Sequence, residues 1–148
     1  MAYDITAVVA HLGVLDHVVQ DPGVPVVTRE QGFGLVPLTK EVLVSLGTNR
    51  RNVGGVLAEW SRFGHVAYIN AEIFAGVGGQ DAKVWLNGEV IFDEATDGSG
   101  AISRALRRIG VASPPGGRDE FDHLGLGICR STEKWVKHAD PRPRFATD

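Results

Sequence analysis

The stretch HVAYINAEIFAGVGGQDAKVWLNGEVIFDE, residues 65–94, carries the strongest strand signals in the chain. Three of its segments are rich in β-branched and aromatic residues, and Asn87-Gly88 separates the last two of them. Because an Asn-Gly pair tolerates the positive φ angles of a type I′ turn, Ala82–Leu86 and Glu89–Asp93 are predicted to form a β-hairpin. The sheet that contains this hairpin is expected to support the rest of the fold.

The predicted hairpin carries apolar side chains on both of its faces. If Leu86 lies opposite Glu89, the pairs that follow are Trp85 with Val90, Val84 with Ile91, and Lys83 with Phe92. We therefore expect other elements to cover both faces of the hairpin, at least in part.

A further strand is predicted at Val66–Phe74, before the glycine-rich segment GVGGQ at 76–80. Alternation places four apolar side chains on one face: Ala67, Ile69, Ala71 and Ile73. It places a mixed set on the other face: Tyr68, Asn70, Glu72 and Phe74. The glycine-rich segment is interpreted as a turn between strands, because neither the Lys-Ser/Thr pair nor the helix of a phosphate-binding loop follows it.

The residues before this sheet are predicted to form helices and a second hairpin. Residues 4–19 place apolar side chains at helical spacing and indicate an amphipathic helix. Residues 24–39 are interpreted as two extended segments around Gln31-Gly32. Thr39 is expected to cap a short helix over residues 40–46, although the β-branched residues of that segment leave a strand open as the alternative.

The later residues give weaker signals. Asn52 is expected to cap a helix that leads into the strand at Val66, and residues 102–109 predict a helix with arginines on its outer face. The segment SPPGGRDEFD at 113–122 is interpreted as a surface loop. Residues 124–131 suggest one more strand, after which Ser131 is expected to cap a last short helix.

Together these elements predict an α+β fold: a single domain over residues 1–148, with an antiparallel sheet, a central Asn-Gly hairpin and flanking amphipathic helices. Helices group around antiparallel strands instead of alternating with them one for one, which disfavours a parallel doubly wound sheet. With 43% hydrophobic and 22% charged residues, the composition is that of a globular domain. Residues 1–3 and 140–148 are expected to be frayed.

Charge and cysteine content narrow the function classes. A formal net charge of −3 and a pI near 5.9 disfavour a nucleic-acid binder, which normally carries a basic surface. Because Cys129 is the single cysteine, no intramolecular disulfide can form, and a cytoplasmic location is expected. The first residues lack a basic leader, and polar residues interrupt their apolar run, so neither a signal peptide nor a membrane span is predicted.

The sequence contains no motif for a metal, a cofactor or a catalytic centre. Its five histidines are scattered without HxxxH or CxxC spacing, so no metal site is predicted. Cys129 has no neighbouring histidine in sequence and is expected to be a small buried residue. We therefore expect a protein that is not an enzyme.

Polar residues on one face of the strand 66–74 form the main candidate for a ligand site. Tyr68, Asn70 and Glu72 recur at two-residue spacing, and Gln80 lies in the glycine-rich segment that follows. A pocket there would use Glu72 as a general base or as a polar contact. The alternative is a face that is only solvated or bonded to a loop.

Acidic residues gather in two further places and suggest a partner-binding surface. One group is Asp93 and Glu94, and the other is Asp119, Glu120 and Asp122. If the two groups lie near each other, they form a negative patch suited to steering a basic protein. Ordinary solvated loops are the alternative.

Several motifs together resemble those of an uncharacterised family of actinomycete proteins. They occur in residues 52–85, in AISRALRRIGV at 101–111, in DEFDHLGLG at 119–127 and in STEKW at 131–135, and include the patterns AYxxAExF-G-GVG-Q and DEFxxxGLG. No chemistry is assigned to that family. Its members are similar in size and composition to immunity proteins, which neutralise bacterial toxins.

Two functions from different classes follow. The first is a cytoplasmic immunity protein that occludes a cognate toxin with an acidic surface and needs no catalytic residue. The second is a small enzyme or ligand-binding domain with a pocket around Tyr68, Glu72 and Gln80. A neighbouring toxin gene would favour the first function, and a deep pocket containing Glu72 would favour the second.

Overall fold

A computed structural model describes residues 2–21, 23–74, 77–96, 100–112, 120, 124–126 and 129–137 of the chain. Its strands are β1 (Ala2–His11), β2 (Val27–Thr28), β3 (Phe33–Pro37), β4 (Val66–Phe74), β5 (Val77–Leu86) and β6 (Glu89–Thr96). Its helices are α1 (Leu12–Val18), α2 (Lys40–Ser45), α3 (Val53–Trp60), α4 (Ala101–Arg108) and α5 (Thr132–Val136).

The six strands form one antiparallel sheet in the order β2-β3-β1-β4-β5-β6, packed against the helices. The single α+β domain expected from the sequence is confirmed. The centre of the sheet is the pair β1 and β4, whereas the Asn-Gly hairpin β5–β6 forms one edge.

The long N-terminal helix predicted over residues 4–19 is wrong, because Ala2–His11 is a central strand and only Leu12–Val18 is helical. Strand β1 is buried on both faces: Ile5, Ala7 and Val9 point to one side, and Thr6, Val8 and Ala10 point to the other. A strand of this kind has a nearly continuous apolar sequence, and apolar periodicity alone does not distinguish it from a helix. Ala2 and Tyr3, expected to be frayed, pair with β4.

Each face of the sheet packs on its own hydrophobic core. One core joins the face of Ile5 and Ile69 to α4, α5 and the turn at 124–126. The other joins the face of Val8 and Val66 to α1, α2 and α3, and Trp60 and Trp85 belong to it. This second core covers only one end of its face, and the polar residues of β1, β4 and β5 lie beyond it.

The hairpin β5–β6 is confirmed, with positive φ at Asn87 (53°) and Gly88 (84°). Leu86 pairs with Glu89 and Trp85 with Val90, as predicted. A β-bulge then makes Ile91 an extra residue, so that Val84 pairs with Phe92 and Lys83 with Asp93. The register predicted beyond Trp85 is therefore wrong by one residue. Residues 77–80, interpreted as part of a turn, belong to β5.

Most of the other local predictions are confirmed. Gln31 and Gly32 have positive φ between the paired strands β2 and β3. The Thr39 side chain accepts a hydrogen bond from the amide of Val42, so residues 40–45 are helix and not strand. Asn52 precedes α3, but its side chain makes no capping bond.

The strand suggested at 124–131 is absent from the described part of that segment. Leu124–Leu126 is a turn, and Ser131 makes only an isolated parallel bridge with Asp4. Ser131 nevertheless caps α5 as predicted, because its hydroxyl accepts from the amide of Lys134. Most of the loop predicted at 113–122 and the tail from residue 138 lie outside the described residues.

Candidate functional site

The sheet face that α3 covers at one end is polar and open at the other. The strand register places Asp4 opposite Glu72, Thr6 opposite Asn70, and Asn70 opposite Asp81. One step nearer to the helices, Tyr68 pairs with Lys83, and Lys83 pairs with Asp93. Residues directly opposite in antiparallel strands point to the same side, so all these side chains share one face.

A chain of hydrogen bonds crosses three strands of this face. The Thr6 hydroxyl donates to Asn70 Oδ1 at 2.9 Å, and Asn70 Nδ2 donates to Asp81 Oδ1 at 2.8 Å. Thr6 is only 2% exposed. Because each side chain is held by its neighbour, the Asp81 carboxylate is fixed in place before any partner arrives.

Four carboxylates lie on this face, which we call the acidic face: Asp4, Glu72, Asp81 and Asp93. Asp4, Glu72 and Asp93 are exposed. Asp93 forms an ion pair with Lys83, with 3.8 Å between Oδ2 and Nζ. Neither Asp4 nor Glu72 takes part in an ion pair among the described residues. Like charges placed directly opposite each other in a sheet are destabilising, so the pair of Asp4 and Glu72 costs free energy in the isolated chain.

Tyr68 lies at the border between the acidic face and the helical core. Partial burial raises the pKa of its phenol above the ordinary value, although the nearby Arg50, which hydrogen-bonds to it, acts in the opposite direction. The phenol is therefore neutral at physiological pH. It contributes a hydrogen-bonding group to this face and no further charge.

Three of the four residues predicted to bind a ligand lie together, and the fourth does not. Tyr68, Asn70 and Glu72 share the polar face, whereas Gln80 points to the opposite face of the sheet. There Gln80 Oε1 accepts from the amides of Gly100 at 3.2 Å and Ile102 at 3.0 Å. Gln80 therefore caps the start of α4. The sequence pattern did not predict which face Gln80 lies on, because the glycines directly before it were interpreted as a turn, whereas they belong to strand β5.

Of the five acidic residues predicted to bind a partner, the three that the structure describes do not lie together. Asp93 belongs to the acidic face, whereas Glu94 points to the other side, where Arg104 binds it and lowers the pKa of its carboxyl. Glu120 is 2% exposed and its Oε2 accepts from Arg107 Nε at 3.0 Å, so it is not a free surface charge. Asp119 and Asp122 lie outside the described residues.

Sequence reasoning missed Asp4, Thr6 and Asp81 as members of the polar face. The signal was present over a short segment, because polar Asp4 and Thr6 alternate with apolar Ile5 and Ala7. The interpretation of residues 4–19 as a helix hid that pattern.

Other chemistry has little support in the described part of the chain. No group of three or more His, Cys, Asp or Glu side chains there is arranged to hold a metal ion. Cys129 is buried as predicted. Desolvation raises the pKa of its thiol, although the charges of Arg29 and Lys134 act in the opposite direction, and the thiol is therefore protonated at neutral pH. None of the helices described is long and apolar enough to cross a bilayer.

Comparison with known proteins adds no assignment. No protein-family model matches the sequence, and no curated protein or solved structure is significantly similar to it.

Proposed function

We propose that this chain is a cytoplasmic binding protein, not an enzyme, which occludes a basic protein partner with its acidic face. The observation that carries the proposal is the register of β1 and β4, which places Asp4 directly opposite Glu72 on an open sheet surface. This arrangement disfavours the free chain and favours a complex in which a cationic side chain lies between the two carboxylates.

The remainder of the face supports the same role. Asp81 extends the negative surface to β5, where the hydrogen bonds from Thr6 and Asn70 hold it in place, and Asp93 extends it to β6 beside Lys83. A pre-ordered surface loses little conformational entropy when it binds. An excess of negative charge on one surface also accelerates the encounter with a basic protein.

The most concrete partner is a bacterial toxin, which makes the chain an immunity protein. The chain resembles actinomycete proteins that are similar in size and composition to immunity proteins, and this resemblance supports the choice. Occlusion also requires no catalytic residue in the inhibitor. The alternative, an enzyme or ligand-binding domain, would retain Tyr68 and Glu72 but not Gln80, which caps α4 on the opposite face.

The proposal is tested by expressing the product of the gene adjacent to this one, with and without the chain, and measuring growth. We expect that product to be toxic alone and harmless with the wild-type chain. The double variant Glu72→Lys/Asp93→Asn should lose protection, because it reverses one charge of the acidic face and removes another. The matched control Glu30→Lys/Glu59→Gln changes the net charge equally at exposed positions elsewhere and should protect.

Two further outcomes decide between the functions. Full protection by Glu72→Lys/Asp93→Asn, or a neighbouring product that is neither toxic nor bound, would overturn the proposal. Under occlusion, Glu72→Gln removes one charge of four and weakens binding only partly. An enzyme that uses Glu72 as a general base would instead lose about two orders of magnitude or more of its activity with the same change.

A further inference from the structure

A cleft of about 880 Å³ opens beside the first half of β1, at the edge of the acidic face. It lies between α2, the connection from α2 to α3, and the start of α5. Threonines, charged side chains and apolar side chains of these elements line it. Its volume is in the range of sites for small ligands, which are typically about 300–1,000 Å³.

Three buried threonines give the cleft a structured polar wall. Thr6, Thr39 and Thr132 are each less than 8% exposed. The Thr132 hydroxyl accepts from the amide of Thr6 at 2.9 Å, and the Thr39 hydroxyl accepts from the amide of Val42 at 3.1 Å. A hydroxyl that accepts one bond keeps a proton to donate, so both side chains are able to donate to a ligand oxygen.

The charged residues of the cleft are separated by sign. Asp4 of β1 and Glu133 of α5 lie on one wall. The backbone of Asp4 pairs with that of Ser131 in an isolated β-bridge, and Ser131 caps α5, whose first turn contains Glu133. Lys40 in the first turn of α2, with Arg50 and Arg51 in the following connection, forms the other wall. None of these five side chains makes an ion pair within 4.0 Å with another described residue.

We propose that this cleft binds a zwitterionic ligand of the amino-acid or dipeptide type. Its amine would lie against Asp4 and Glu133, and its carboxylate against Lys40 and Arg51. Walls of opposite sign that do not pair with each other match a ligand that carries both charges, and an ion of one sign would be repelled by one wall. Leu38, Leu43 and Val44 supply an apolar surface for its side chain.

The probe for the test is the dipeptide alanyl-leucine, titrated into the full chain by isothermal calorimetry at millimolar concentrations. We expect saturable binding. Acetylation of the amine or amidation of the carboxylate should each weaken binding by about tenfold or more, since each removes one charge-assisted contact. Absence of saturable heat for both alanyl-leucine and free leucine, or equal binding of the blocked and free dipeptides, would overturn the proposal.

Matched variants locate the site on the protein. Lys40→Ala and Glu133→Gln should each weaken dipeptide binding by about tenfold, whereas Glu41→Gln and Arg62→Ala, at exposed positions outside the cleft, should not. All four variants should melt cooperatively, which separates lost binding from lost folding. Binding unchanged in both cleft variants would contradict the assignment. Because Asp93→Asn alters the acidic face but leaves Asp4, Lys40 and Glu133 intact, dipeptide binding by that variant makes the result independent of the proposed toxin partner.

Discussion

Asn87 and Gly88 show how strongly single residues determine this sheet. Both have positive φ at the tip of the hairpin, and their amides donate to the backbone oxygen and to the hydroxyl of Ser61. Asp4 and Glu72 show the converse, since their register brings like charges together without any benefit to the fold. The first pair stabilises the structure, whereas our proposal attributes the second to partner binding.

Gly88→Val should destabilise the chain by about 1 kcal/mol or more, because a β-branched side chain resists a φ of 84°. The free energy of unfolding in urea measures this change. The control Gly55→Ala lies in α3 where an added Cβ has open space, and should leave the chain as stable or raise stability by up to about 1 kcal/mol. Equal stability of Gly88→Val and wild type would contradict the assigned turn.

Glu72→Lys should stabilise the free chain by about 0.2–1 kcal/mol, because it converts the like-charge pair with Asp4 into an opposite-charge pair. Urea unfolding at low ionic strength measures the gain, and added salt should reduce it. The charge-matched control Glu30→Lys should change stability by less than about 0.5 kcal/mol. A loss of stability in Glu72→Lys would show that Glu72 supports the fold, contrary to our account of the acidic face.

Elements of secondary structure are joined by a small number of long-range polar contacts. Gln80 of β5 caps the first turn of α4, and Arg104 of α4 binds Glu94 of β6. Ser131 and Thr132 attach the start of α5 to the backbone of Asp4 and Thr6 in β1. Gln80 and Ser131 cap the starts of α4 and α5, and the other contacts attach these two helices to the sheet.

Gln80→Ala should lower the free energy of unfolding by about 1 kcal/mol, as expected when a helix loses the side chain that caps its first amides. Gln20→Ala is the matched control, because the Gln20 side chain bonds only to backbone oxygens in its own exposed segment. Similar stabilities of the two variants, measured by chemical denaturation, would argue against Gln80 as a cap.

Sequence patterns predicted those elements whose two faces differ. Strand β4 was located to the residue, because its alternation contrasts buried Ala67 and Ile69 with the polar Tyr68 and Asn70. Strand β1 was missed because tertiary packing buries both of its faces, which removes the alternation over most of its length. The bulge at Ile91 leaves no pattern in the sequence, so the hairpin register was predicted only as far as Trp85.

The candidate site was predicted only in part, for a related reason. Tyr68, Asn70 and Glu72 lie on a single strand, so their common face follows from local geometry. The partners that complete the acidic face come from β1 and β5, and their positions depend on strand order, which sequence alternation does not specify. The burial of Glu120 against Arg107 is likewise a tertiary contact.

At the scale of the whole molecule, the helices cover the two faces of the sheet unequally. Among the described residues, helices α4 and α5 with the turn at 124–126 cover one face, whereas α1, α2 and α3 cover one end of the other and leave the acidic face open. The cleft beside β1 borders that open surface and shares Asp4 with it. The fold therefore places two candidate binding surfaces next to each other on its least covered side.

The central claim is that the acidic face binds a basic protein partner. Its most direct test is the association rate constant between the purified chain and the product of the adjacent gene, measured across ionic strength by stopped flow. We predict a rate that falls steeply with added salt, and a rate about tenfold or more lower at low salt for Glu72→Lys/Asp93→Asn but not for Glu30→Lys/Glu59→Gln. An association rate that is independent of salt and equal for both double variants would contradict the account.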